Sequence, residues 1–185
     1  MRVISGTARG RKLKEPSGTE VRPTSDMVKE SIFNVVQFDI EGRHILDLFA
    51  GTGQLGVEAL SRGAKSAVFV DISPEAVKLI KENILLCGFS DASTVRRSDA
   101  LNYLEHCGTF DMIFVDPPFN TNLAVKTLDK IIEFDKLDTN GIIILEIGAD
   151  RATPKVFPPY YLHKEYIYGS VKILKYEYRG LPGQL

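Results

Sequence analysis

The stretch "HILDLFAGTGQLGVEALSRG", residues 44–63, changes rhythm halfway along. Its first six residues are an apolar, strand-like run. A glycine-rich turn follows, and a helical pattern then ends near Gly63. A strand that enters a helix through G-x-G-x-x-G, here Gly51, Gly53 and Gly56, fits the opening unit of a doubly wound α/β sheet with a ligand at its turn, and the pattern alone also fits a tight strand-to-helix turn without one. The chain beyond repeats the alternation. "SAVFVD" (66–71) reads as a second strand. The helix after it is signalled by Ser73 as N-cap, Pro74 in the first turn and Gly88 as the stop, with Val77, Ile80, Ile84 and Cys87 on its inner face. A strand near Thr94–Arg96, a short helix from about Ala100 to Cys107 and the strand "DMIFVD" (111–116) come next. A helix through Leu128, Ile131 and Ile132 then leads to the strand "GIIILEI" (141–147). Continuous apolar strands between helices predict a mostly parallel sheet covered on both faces. The tail departs from this: "LHKEYIYG" and "SVKILKYEYRG" meet at Gly169-Ser170 with no helix between, which predicts an antiparallel edge hairpin. Upstream, residues 24–37 read as a helix with Val28, Ile32, Val35 and Val36 inward.

The 185 residues are 44% hydrophobic and 25% charged, which predicts one soluble domain with a sizeable core. Residues 1–22 read as a small basic arm, expected to be a hairpin, and 23–185 as the main domain. The arm holds Arg2, Arg9, Arg11, Lys12, Lys14 and Arg22 against Glu15 and Glu20, so 6 of the 23 basic residues and 2 of the 24 acids lie there. A basic arm on an acidic body predicts an anionic partner met at one edge. On charge alone, a merely solvated hairpin explains it equally well. No apolar h-region follows the basic start, so no secretory signal is expected, and no run is long enough for a membrane span. Cys87 and Cys107 read as buried free thiols of an intracellular protein, and a cytoplasmic location is expected. His44, His106 and His163 have no companions at ligand spacing, so no metal site is expected.

The residues around the glycine turn bear on its ligand. Asp71 closes the second strand about twenty residues later, where an acid would hold ribose hydroxyls of NAD or S-adenosylmethionine alike. Asp47 precedes the glycines. A carboxylate there would repel the pyrophosphate of NAD and suit the sulfonium and ammonium groups of S-adenosylmethionine. Asp99, in "RRSDAL", is placed to contact adenine or to cap a helix.

The fourth strand runs into "DPPF", Asp116 to Phe119. Two prolines make this elbow stiff and extended. It presents a carboxylate, a carbonyl and an aromatic face beside the glycine turn. An exocyclic amine of a nucleobase is a weak nucleophile because its lone pair is delocalised. Asp116 and an elbow carbonyl can accept its two N–H groups and aim that lone pair at a methyl group, while Phe119 stacks on the base. Such a base must be unpaired or flipped out.

"DLFAGTG", "VFVD", "SDA" and "VDPPF", in this order, resemble the class I S-adenosylmethionine-dependent amino methyltransferases. "RGRKL" and "RPTSDMVKESIFN" (22–34) narrow the resemblance to the RsmD-type enzymes that methylate N2 of a guanine in 16S ribosomal RNA. The resemblance spans essentially the whole chain. It implies a seven-stranded sheet whose last strand is antiparallel and inserted. It implies cofactor contacts from Asp47, Phe49, Gly51, Gly53, Asp71, Ile72, Asp99, Ala100 and Thr24, with Asp116, Pro117, Pro118 and Phe119 as the catalytic elbow. Arg22, Thr24 and Asp26 would border the site, and Arg9, Arg11, Lys12 and Arg22 would contact RNA. Capping of the first helix is an equally good role for Thr24. Many guanine-N2 enzymes carry Asn where this chain has Asp116, and Asp also occurs in adenine-N6 enzymes, so the elbow does not identify the base.

The expected function is methyl transfer from S-adenosylmethionine to guanine N2 of 16S ribosomal RNA, within a small-subunit assembly intermediate, by a monomer. The alternatives are an amino methyltransferase acting on another base or on adenine N6 of DNA, a silent RNA-binding protein, and an NAD-dependent oxidoreductase. The last is disfavoured by Asp47 and by the lack of a hydride-site His or Tyr–Lys pair near the strand ends.

Overall fold

The structure is a computed structural model and describes residues 1–16, 26–119 and 121–180. Arg22 and Thr24, and with them the expected start of the first helix, lie outside the described residues. The elements run α1 (Asp26–Val35), β1 (His44–Leu48), α2 (Gln54–Ser61), β2 (Ser66–Asp71), α3 (Pro74–Cys87), β3 (Ser93–Arg97), α4 (Ala100–His106), β4 (Phe110–Val115), α5 (Leu123–Glu133), β5 (Leu137–Gly148), β6 (Tyr160–Tyr168) and β7 (Val171–Tyr178). The seven strands form one sheet in the order β3-β2-β1-β4-β5-β7-β6. β1 to β5 are parallel, and β7 inserts antiparallel between β5 and β6.

The period of two sorts each buried strand onto two cores. Ile45, Phe69, Met112, Phe114 and Ile144 face α1, α2 and α3. Leu46, Leu48, Val70, Ile113, Val115 and Leu145 face α4 and α5. This is why the strands read as unbroken apolar runs rather than alternating ones. The ends of α3 are set by local chemistry. Ser73 accepts from the Ala76 amide at 3.2 Å, and Gly88 closes the helix at φ 78°.

Some boundaries differ from the sequence reading. β5 begins at Leu137, not Gly141, because a register shift against β4 takes up extra residues before Ile142 pairs with Met112. A Cβ on Gly141 would sit 2.4 Å from Leu137 Cγ, so the irregularity needs glycine. Cys107 is only half-buried and follows the last turn of α4, whereas Cys87 is buried. Val35 and Ile132 are partly exposed, at the margins of their helices.

The first sixteen residues fold back on themselves. The Val3 amide donates to Arg11 O, Gly10 to Val3 O and Leu13 to Met1 O, with an antiparallel bridge between Arg2 and Lys12. Val3, Ala8 and Leu13 are buried in the first core. Gly6, at φ 79°, passes so close to α2 that a Cβ would lie 1.7 Å from the Ser61 carbonyl oxygen. Glu58, fully buried on α2, accepts from the Ile4 and Ser5 amides at 2.7 and 3.0 Å and from Arg62 Nε at 2.8 Å. Buried Lys29 of α1 donates to the Arg2 carbonyl between the carboxylates of Asp26 and Glu58. Burial lowers its pKa, and Glu58 opposes that shift. On α3, Asn83 accepts from the Lys14 amide at 2.7 Å and donates to the carbonyls of Lys14 and Thr52 at 3.1 and 2.9 Å.

Candidate active site

Strand order reverses between β1 and β4, and the chain puts both its glycine turn and its proline elbow at the C-terminal ends of these two strands. Each glycine of the turn has its own reason. Gly51 and Gly53 sit at φ 56° and 76°, in the left-handed region. Gly56 is needed for packing, since a Cβ there would lie 2.3 Å from the Phe69 ring. Phe49, between strand and turn, also holds a positive φ of 61°. A bulky side chain in that region is a strained position of the kind found beside ligand sites.

Asp71 terminates β2 with its carboxylate already oriented. Oδ2 accepts from the Gly51 amide at 2.8 Å and Oδ1 from the Ser73 amide at 2.9 Å. Each oxygen keeps a further lone pair for a hydroxyl donor. The next residue, Ile72, is 65% exposed, an apolar surface beside the acid. Asp99 does cap α4, its Oδ1 accepting from the Asn102 amide at 3.0 Å, and Ala100 is buried behind it. The capping role is realised, and the exposed carboxylate still stands at the end of β3.

Asp47 lies deeper than the sequence reading implies. It is 1% exposed and sits under the turn, where Oδ2 accepts from the Gly56 amide at 2.9 Å. Burial pushes its carboxyl well above the usual range, the Gly56 bond opposes this, and Asp116 and Asp71 add to it. A ligand on the turn therefore meets Asp47 through the turn's own backbone.

The elbow leaves β4 just past Val115. Pro117 is buried, and Pro118 and Phe119 are exposed. Thr121 Oγ1 donates to the Pro118 carbonyl at 2.8 Å, and Arg151 Nη2 reaches the Phe119 carbonyl at 3.5 Å. The Phe119 ring is 42% exposed. Pro117, Pro118 and Phe119 form one wall of a cleft of about 210 Å³, completed by α5, the end of β5 and the segment after it. Glu146 of β5, missed in the sequence, belongs to this wall. A lone acid in the apolar run "GIIILEI" was the available signal, but its significance needs the β4–β5 pairing.

The RNA-contact residues expected on the arm fall at different places. Arg9 and Lys12 are exposed, and Arg9 lines a second cavity of about 250 Å³ that also includes Arg2, Asp26 and Glu30. Arg11 is exposed too, and its Nη1 donates to the Leu86 carbonyl at 2.9 Å. Asp26 opens the described part of α1. Among the described residues no three His, Cys, Asp or Glu side chains gather as a metal site, and no helix is long and apolar enough to cross a membrane.

A glycine turn, an acid ending the neighbouring strand and a proline elbow, set on a sheet with an inserted antiparallel strand, define a doubly wound α/β domain of the methyltransferase type. The chain belongs to the RsmD family: the family model described as "Conserved hypothetical protein 95" matches residues 1–177. A relative from Haemophilus influenzae named "Ribosomal RNA small subunit methyltransferase D" is 36% identical over 96% of this chain and 93% of its own. The relative of that name from Escherichia coli is 34% identical over 96% and 89%. A solved structure of a candidate Escherichia coli methyltransferase, yhhF, superposes with a TM-score of 0.88 at 32% identity, covering 98% of this chain and 99% of that one.

Proposed function

We propose that this protein transfers a methyl group from S-adenosylmethionine to the exocyclic N2 amine of a guanine in 16S ribosomal RNA, within a partly assembled small subunit. The observation that carries the reading is the Asp116–Phe119 elbow, held at the end of β4 beside the Gly51–Gly53 turn at the end of β1. The names of the small-subunit methyltransferase relatives support the RNA class.

The turn suits the cofactor. A Cβ built on Gly51 meets only the Phe49 carbonyl, at 3.9 Å, so the turn presents bare backbone to open space. Asp71 is oriented to accept from ribose hydroxyls, exposed Ile72 offers an apolar face for adenine, and Asp99 with Ala100 stands at the next strand end. Bound there, the cofactor supplies an electrophilic methyl group on a positively charged sulfur.

The chain's residues do the rest. Asp116 and an elbow carbonyl accept hydrogen bonds from the amine and turn its lone pair toward the methyl group. Phe119 stacks on the extruded base, whose removal from the helix costs a few kcal/mol, on the order of one lost stacking step. Arg9, Arg11 and Lys12 hold RNA phosphates at the arm, while Arg22 and Thr24 are assigned to the border of the active site, Arg22 toward RNA and Thr24 toward the cofactor. The protein acts as a monomer in the cytoplasm.

Nucleoside mass spectrometry of small-subunit ribosomal RNA from cells lacking the gene tests this. N2-methylguanosine should fall by one residue per particle. Unchanged N2-methylguanosine with loss of N6-methyladenosine would move the assignment to adenine.

A further inference from the structure

Glu146 has no evident part in holding the fold. Leu145 pairs with Val115 across the β4–β5 ladder, so Glu146 stands level with Asp116, one residue beyond. On its other side it pairs with Ile173 of β7. The residue is 3% exposed, and its Oε2 is buried without a hydrogen-bond partner among the described residues. A buried carboxyl oxygen left unsatisfied works against folding, and an apolar side chain would suit the strand better. Yet this acid lines the cleft walled by Pro117, Pro118 and Phe119. An unsatisfied polar atom on a residue level with Asp116 that also lines the cleft signals a partner that arrives with the substrate.

We propose that Glu146 is the residue that reads the target base, its carboxyl engaging the Watson–Crick edge of guanine next to the amine held by Asp116. This rests on the guanine-N2 reading above. Burial, reinforced by the Asp116 charge, pushes the Glu146 carboxyl up to about 9, so it is a neutral acid at neutral pH. A neutral carboxyl offers a carbonyl acceptor and a hydroxyl donor side by side. Guanine presents the matching pair beside its amine, with N1–H as donor and O6 as acceptor. Adenine, with its N6 amine in the same grip, presents N1 as acceptor and then a carbon-bound hydrogen, so at most one bond forms. Asp116 would therefore position the amine while Glu146 selects the ring that carries it. As a carboxylate the same group could still accept from N1–H but could not donate to O6.

The test uses the full-length protein, S-adenosylmethionine with a labelled methyl group, and small ribosomal subunits from cells lacking the gene. Glu146→Leu should lower kcat/KM for the particles by roughly 10- to 100-fold, the size of a lost bidentate base contact. It should raise the melting temperature and leave cofactor affinity unchanged. Glu146→Gln keeps one acceptor and one donor in place and should recover most of the loss. Wild-type turnover by a folded Glu146→Leu protein would overturn the proposal. So would Glu146→Gln behaving like Glu146→Leu, since charge would then be the requirement. If the wild-type protein forms no N2-methylguanosine on the particles, the functional reading itself falls, a result distinct from either.

Discussion

At the scale of single residues, the site is a cluster of acids in unlike surroundings. Asp71 is held by two amides at the surface of the turn, Asp47 is buried below it, and Glu146 is buried beside the elbow. Asp116 lies among them and raises the carboxyl pKa of both Asp47 and Glu146. If Asp116 acts mainly in the transition state, Asp116→Ala should lower the single-turnover methylation rate by on the order of 10²–10³. The melting curve should stay near that of the wild type. A purely structural elbow gives the reverse, a lowered melting temperature with the rate per folded molecule intact. Glu146 makes a separate prediction about pH. The folded protein keeps its proton up to about 9, whereas the unfolded chain loses it near the ordinary glutamate value of 4.5. Between these values the unfolded state binds fewer protons, so each rise in pH favours unfolding, with no further effect below or above the window. Asp47 acts in the same direction. Urea midpoints of wild type and Glu146→Gln should therefore lie closest near pH 4.5 and separate toward pH 9, with the variant the more stable. Parallel curves would show that Glu146 does not titrate in this way.

The elements explain which parts of the molecule were readable in the sequence. β1, the glycine turn and α3 are specified by neighbours within a few positions, so Gly53, Ser73 and Gly88 announce them directly. The inward residues Ile80 and Ile84 follow from period alone. The docking of the arm is different in kind. Glu58 reaches Ile4 and Ser5 across more than fifty positions, and a buried lysine such as Lys29 has no local signature. Glu146 failed for the same reason, since its meaning comes from β4. The arm prediction follows from its exposed cations. Neutralising Arg9, Arg11 and Lys12 together should weaken RNA binding and reduce the slope of log affinity against log salt by roughly 0.7–0.9 per lost phosphate contact. Cofactor affinity should not change. Arg11 already donates to the Leu86 carbonyl, so a slope change equivalent to two contacts would identify it as an anchor for the arm, not a phosphate ligand. An unchanged salt titration would place the RNA surface elsewhere.

At the scale of the whole molecule, β7 decides how the sheet ends. By inserting between β5 and β6 it covers the Ile142–Gly148 edge with seven paired residues, which would otherwise be a long apolar edge open to pairing with other chains. The arm packs over α2 and α3, and there Asn83 has a consequence of its own. One side chain binds the backbone of Lys14, in the arm, and the carbonyl of Thr52, in the glycine turn. Two binding events that bias a shared tie cannot be independent, and their coupling must be reciprocal. The protein should take up cofactor and RNA as a heterotropic pair: whatever factor the RNA adds to cofactor affinity, the cofactor adds to RNA affinity. Such factors are on the order of 5- to 150-fold. Calorimetry around the full thermodynamic square would measure it, and in a folded Asn83→Ala protein the factor should collapse toward one. The communication between the two ligands would then be a property of this amide, with each changing the protein's affinity for the other by one and the same factor.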